Sequence, residues 1–232
     1  MAYTDNLMAV SGTLVRNNGA ADTFTGQAPG TAANAIALST NTIDLGSNRD
    51  VGEGSDLFMR VLNTVAYTAA ATGTTLEIQA IISSAEALNA NVTVIGSTGA
   101  INVPYSVSSG SYVLNQSYTI ATLPTSGSFT SIGASANTVG TTFVATATGS
   151  TLTGGTALTN NATVTAAPLN LTAGSRLAVS LNPAIGSKAQ RYLGARFVVT
   201  GTLASALSAS YIDLGLDVQD GQKFYPGGFA IL

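Results

Sequence analysis

Apolar and polar positions alternate most cleanly near the end of the chain, over 211–219. Ile212, Leu214, Leu216 and Val218 form one set, and Asp213, Gly215, Asp217 and Gln219 the other. Successive side chains of a strand point to opposite faces, so this spacing predicts one buried face and one turned to water or a partner. A helix would smear both sets around its circumference. The turn signal Asp220-Gly221 follows, then a tail containing Phe224, Tyr225 and Phe229.

The same reading predicts strands over 40–45, 57–65, 74–82 and 91–95, with at most a helical turn over 84–89. Between Glu86 and Arg176 no Asp, Glu, Lys or Arg occurs. Short β-branched runs over 117–123, 141–148 and 161–166 are separated there by Gly and Pro, which suggests an inserted all-β module. Alternation returns over 176–181 and 191–200. Many short strands, glycine-rich turns and little helical periodicity predict an all-β chain built as a β-sandwich or jelly roll. The expected organisation is an N-terminal arm over 1–38, a main domain over 39–102 and 161–232, and the inserted module over 103–160. The first segment reads as irregular. Its apolar Leu7, Met8, Val10, Leu14 and Val15 leave two readings, a mobile terminus or an arm that orders on a neighbour.

Composition sharpens this picture. The chain has 232 residues, of which 45% are hydrophobic and only 8% charged. Typical soluble domains carry roughly 25% charged residues. A chain so apolar and so poor in charge folds, but Ser, Thr, Asn and Gly must wet its surface. Such a surface repels other copies weakly and suits an assembly. The net charge of −3 and the lack of a basic patch argue against nucleic acid. No apolar run approaches the ~18 residues of a membrane span. The first residues lack the basic and apolar regions of a signal peptide, so synthesis in a cytoplasm is expected.

Three stretches carry a resemblance. They are Ser39 to Gly46 with Arg49-Asp50, Leu171 to Arg176 with Gln190 to Leu193, and Leu214 to Gln219. In this order they resemble small capsid cement (decoration) proteins of tailed bacteriophages, which have a jelly-roll fold. The uncharged segment, with Phe129 to Ser135 and Phe143 to Gly149, is similar to a small β module that recurs in phage virion proteins. The resemblance implies a structural protein on the capsid exterior, made in the host cytoplasm, that bridges major capsid protein subunits. It also implies contacts with other copies of itself, with a dimer favoured and a trimer possible. Arginines and aromatics are favoured as interface anchors. The candidates are Arg49, Arg60, Arg191, Tyr192, Arg196, Phe224, Tyr225 and Phe229, although the arginines could equally form pairs within the domain. A different reading is a tail or fibre module that binds a host glycan or receptor through the insert, with Tyr105, Tyr112 and Tyr118 as stacking surfaces.

Catalysis has little to work with. The chain has no histidine and no cysteine, which removes the commonest general base, thiol nucleophiles and most zinc sites. No phosphate-binding glycine loop is present. Asp213 and Asp217 would stand about 13 Å apart along a strand rising ~3.3 Å per residue, outside the ~5–9.5 Å of glycosidase carboxylates. The acidic loop with Asp44, Asp50, Glu53 and Asp56 offers oxygen ligands for Ca²⁺ but lacks EF-hand spacing, and a solvated turn is the simpler reading. No enzyme, cofactor or metal is expected.

Overall fold

The computed structural model describes residues 9–15, 23–46, 57–159, 171–181 and 190–215. The early strands are β1 (Ala9–Ser11), β2 (Thr13–Val15), β3 (Thr23–Thr25), β4 (Ile36–Leu38) and β5 (Ile43–Asp44). Next come β6 (Phe58–Val65), β7 (Thr75–Ser83), β8 (Thr93–Ser97) and β9 (Ile101–Asn102). The uncharged segment holds β10 (Ser106–Ser108), β11 (Ser117–Ser126), β12 (Thr142–Val144) and β13 (Thr153–Thr159). The last are β14 (Arg176–Ser180), β15 (Tyr192–Thr200) and β16 (Ala209–Gly215). The chain is all-β, and the pairs among these strands are antiparallel.

Alternation builds the main sandwich. One sheet runs β1-β16-β6-β14. The second, six-stranded, runs β4-β15-β7-β8, with β5 added on β15 and β9 on β7. Met59, Val61, Ile212 and Leu214 of the first sheet pack against Leu76, Ile78, Leu193 and Phe197 of the second. Each is almost fully buried, and each contributes about 1.5–3 kcal/mol by leaving water.

Polar groups also enter this core. The Tyr67 hydroxyl meets Ser210 Oγ at 2.7 Å, Ser210 Oγ donates to Asn63 Oδ1 at 2.7 Å, and Asn63 Nδ2 donates to Ser175 Oγ at 2.8 Å. Ser175 in turn donates to the Thr172 carbonyl at 2.7 Å. The links among Tyr67, Ser210 and Asn63 satisfy groups that would be costly to bury alone.

The segment expected to be an irregular arm differs most from expectation. Where described, it belongs to its own sandwich. β1 pairs with β16, β4 with β15, and Gln27 bridges Ser210 through both backbone bonds. The β2–β3 hairpin lies over the outer face of the first sheet, with Phe24 edge-on to Tyr211 at 5.0 Å. The apolar Val10 and Leu14 are thus buried by the chain itself rather than by a neighbour. Strands of three residues are too short to show a period, which is why they read as irregular.

The closing strand also departs from expectation. Its alternation is real over β16, but the polar side is not in water, because Tyr211 and Asp213 are 3% and 4% exposed. Leu216 to Gln219 lie outside the described residues, as does the strand expected over 161–166. The segment 84–89 is a turn in which Leu88 has φ 57.

Residues 106–159 form a separate sheet, β10-β13-β11-β12, around their own core. Tyr112, Tyr118, Phe129 and Phe143 meet there with ring centroids 5.2–6.4 Å apart. A 3-10 turn over Phe129–Ile132 is capped by Ser128, whose Oγ accepts from the Thr130 amide, and ends on Gly133 at φ 108. Ser106 sits opposite Leu158 in the ladder, so the incoming and outgoing strands of this unit are neighbours. Tyr105 packs against both cores.

Candidate interaction surface

No concave chemical site stands out among the described residues. A crevice of about 10 Å³ between Val61, Asn63, Ile78 and Leu171 has room for one water. No group of three metal-ligating side chains occurs among the described residues.

The outer face of the six-stranded sheet is set by β15. Leu193, Ala195, Phe197 and Val199 point into the core, so Tyr192, Gly194, Arg196 and Val198 point away. Register fixes their neighbours. Arg196 lies between Leu38 on β4 and Gln79 on β7, and Gln79 is opposite Ser97 on β8. Val198 lies between Ile36 and Glu77. Gly194 leaves the space that Leu88 fills from the 84–89 turn, since a Cβ there would collide with the Leu88 side chain. Ile36 is 62% and Val94 41% exposed on this sheet.

A polar relay crosses the face. Arg196 Nε donates to Gln79 Oε1 at 2.5 Å, and Gln79 Nε2 donates to Glu77 Oε1 at 2.6 Å. Ser97 Oγ donates to the same Glu77 oxygen at 2.5 Å and accepts from the Gly99 amide at 2.9 Å. The bonds from Gln79 and Ser97, with Arg196 nearby, hold the Glu77 carboxyl below the usual range.

At the end of the face, Arg191 forms a fork with Asp44, Nε to Oδ1 and Nη2 to Oδ2, both 2.5 Å. The Arg191 guanidinium also lies 5.3 Å from the centre of the Tyr192 ring. Bonds from Arg191 and from the Gly46 amide lower the Asp44 carboxyl to about 2.

Charge is concentrated here. Apart from Arg176 and the Arg60–Asp213 pair, every charged side chain among the described residues lies on this face or the turn beside it. These are Asp44, Glu77, Glu86, Arg191 and Arg196.

Of the candidate anchors, the structure brings Arg191, Tyr192 and Arg196 together. Arg60 is corrected. Its guanidinium points to the other sheet face and is taken up by a forked pair with Asp213, whose side chain is 5% exposed. Arg49, Phe224, Tyr225 and Phe229 lie outside the described residues. Ile36, Glu77 and Gln79 were not singled out from sequence. Period 2 placed Glu77 and Gln79 on one side of a strand, but only register shows that they share a face with Arg196. No family model, no curated protein and no solved structure matches this chain.

Proposed function

We propose that this protein is a structural virion component, a cement (decoration) protein of a tailed bacteriophage. It binds the outer surface of the capsid and stabilises the shell by bridging neighbouring major capsid protein subunits. In this reading the main sandwich is a jelly roll, and the protein works beside other copies of itself, as a dimer or a trimer. It acts without catalysis, cofactor or metal.

The observation that carries the reading is the convergence of Arg191, Tyr192 and Arg196 on one broad sheet face that holds nearly all the described exposed charge of a charge-poor chain. A flat, mixed apolar and polar surface suits docking on another protein, and burying about 1,600 Å² in total is the usual size of a specific contact. Repetition over an icosahedral shell multiplies a modest contact. The glycan-binding reading is weaker, because Tyr112 and Tyr118 are 2% and 0% exposed in the insert core, which leaves, of the three candidate rings, Tyr105, itself partly buried against both cores.

Purified virions test the proposal. A copy number comparable to that of the major capsid subunit is expected, and shells stripped of the protein should rupture at lower temperature and regain resistance when it is added back. Stripped shells that withstand heat and DNA packing as well as intact ones would remove the cement role.

A further inference from the structure

The three described arginines among the candidate anchors differ in one respect. Arg60 and Arg191 each spend a full fork on a carboxylate. Arg196 spends only its Nε, on the amide oxygen of Gln79. No carboxylate among the described residues bonds its terminal nitrogens.

We infer that Arg196 is the specificity-determining anchor of the outer sheet face, and that its guanidinium receives a single carboxylate on a partner protein surface lined with aliphatic side chains. The inference rests on the capsid-binding reading for the identity of that partner, but its chemistry stands on this face alone.

Three features fit. The relay from Ser97 through Glu77 and Gln79 fixes the guanidinium before any partner arrives, so little side-chain freedom is lost on binding. Leu38, Val198 and the exposed Ile36 flank it in register, so an incoming carboxylate arrives beside apolar surface that excludes water. A charge-assisted fork is strongest in such a setting. Glu77 on the same face already offsets part of the Arg196 charge, which disfavours polyanions such as nucleic acid and anionic membranes more than a singly charged carboxylate.

Gln79 is a positioning residue. It does not reach the partner but holds the Arg196 fork flat.

Two experiments test this. In the first, full-length protein binds phage shells stripped of it. Arg196→Ala should weaken binding about 10- to 100-fold, the worth of a charge-assisted bond. Arg196→Lys should recover only part, since an ammonium cannot form the fork. Arg191→Ala should weaken binding by less than Arg196→Ala does, because its fork is already held by Asp44. Wild-type protein that binds shells with an unaffected Arg196→Ala variant would overturn the inference and leave the capsid reading standing.

The second experiment needs no shell. Isobutyrate is titrated into the protein while arginine Nε–H resonances are followed by NMR. The Arg196 signal and those of Leu38 and Val198 should shift saturably, inorganic phosphate should do less, and Arg196→Lys should abolish the response. If Arg196 responds no more than Arg191, or if phosphate is the better ligand, the inference fails whatever the shells show. If wild-type protein ignores shells but passes this test, the capsid reading alone fails.

Discussion

Arg60 and Asp213 stand opposite each other on β6 and β16, and their side chains close a fork with both N–O distances at 2.8 Å. Burial pushes the Asp213 carboxyl above the usual range, against the pull of Arg60. Such a pair adds little net stability, because desolvation offsets attraction, but removing one partner strands the other. Asp213→Asn should therefore cost about 3 kcal/mol, read by urea denaturation. The double variant Arg60→Met, Asp213→Leu should recover most of that loss.

Asp44 and Asp213 should titrate in opposite directions. The Asp44 carboxyl is lowered from 3.8 to about 2. Its stabilising effect is complete above 3.8 and is lost as pH falls towards 2. Asp213 is raised, so its ionisation opposes folding; that opposition begins as pH rises above 3.8 and is complete above its folded pKa. Carboxyl-resolved NMR should find a midpoint near 2 for Asp44 and one above 3.8 for Asp213. Arg191→Ala should return Asp44 to the ordinary range and leave Asp213 unmoved.

The buried chain Tyr67–Ser210–Asn63–Ser175 should respond unequally to cuts. Tyr67→Phe removes one hydroxyl from its end, while Ser210 still donates to Asn63. A cost of about 1 kcal/mol is expected. Asn63→Leu removes the middle and leaves Ser210 and Ser175 without that partner. A cost of about 2–3 kcal/mol is expected, more than for Tyr67→Phe because two bonds are lost, while Ser210 keeps Tyr67 and Ser175 keeps the Thr172 carbonyl. Chemical denaturation of both variants gives the comparison.

Gly26 is where the N-terminal segment crosses the first sheet. A Cβ there would lie 2.8 Å from the backbone N and C of Ser210, and neither can move without shifting β16. Gly26→Ala should cost about 1–3 kcal/mol by overpacking. Hydrogen exchange at Ala9–Ser11 should speed up more than in β7, because the segment lifts from its own sheet.

Replacing 106–158 by a short turn should leave the sandwich folded and the outer sheet face competent, since Ser106 and Leu158 are paired neighbours. Cooperative unfolding and retained response of Arg196 to isobutyrate would check this. Conversely, Phe143→Ala should cost the insert about 3–5 kcal/mol by cavity formation and leave β7 exchange unchanged.

Long alternating strands were legible from sequence because one side faces a core. β6, β7, β14 and β15 begin and end within a residue or so of expectation, and all-β architecture follows from them. Strands of three residues, such as β1 to β4, carry too few side chains to show a period; register with β16 and β15 defines β1 and β4, and β2 and β3 define each other. The candidate surface was half legible. Residue type marked Arg191, Tyr192 and Arg196, and the strand period placed Tyr192 with Arg196. Sequence could not show that Arg60 meets Asp213, because that contact joins residues far apart in the chain. Nor could it show that Tyr112 and Tyr118 turn inward, since small modules bury their few aromatics whatever their loops look like.

The pairing of Ser106 with Leu158 also bears on the order in which the chain folds. Bringing β9 towards β14 means closing a long loop, and each doubling of loop length adds about 0.6 kcal/mol of lost chain entropy. Once the insert has formed, its ends are fixed side by side, and the rest of the chain experiences it as a tight turn. An insert that folds early would shorten the search for the second half of the sandwich. Variants that weaken only the insert should then slow refolding of the sandwich while leaving its equilibrium stability nearly unchanged.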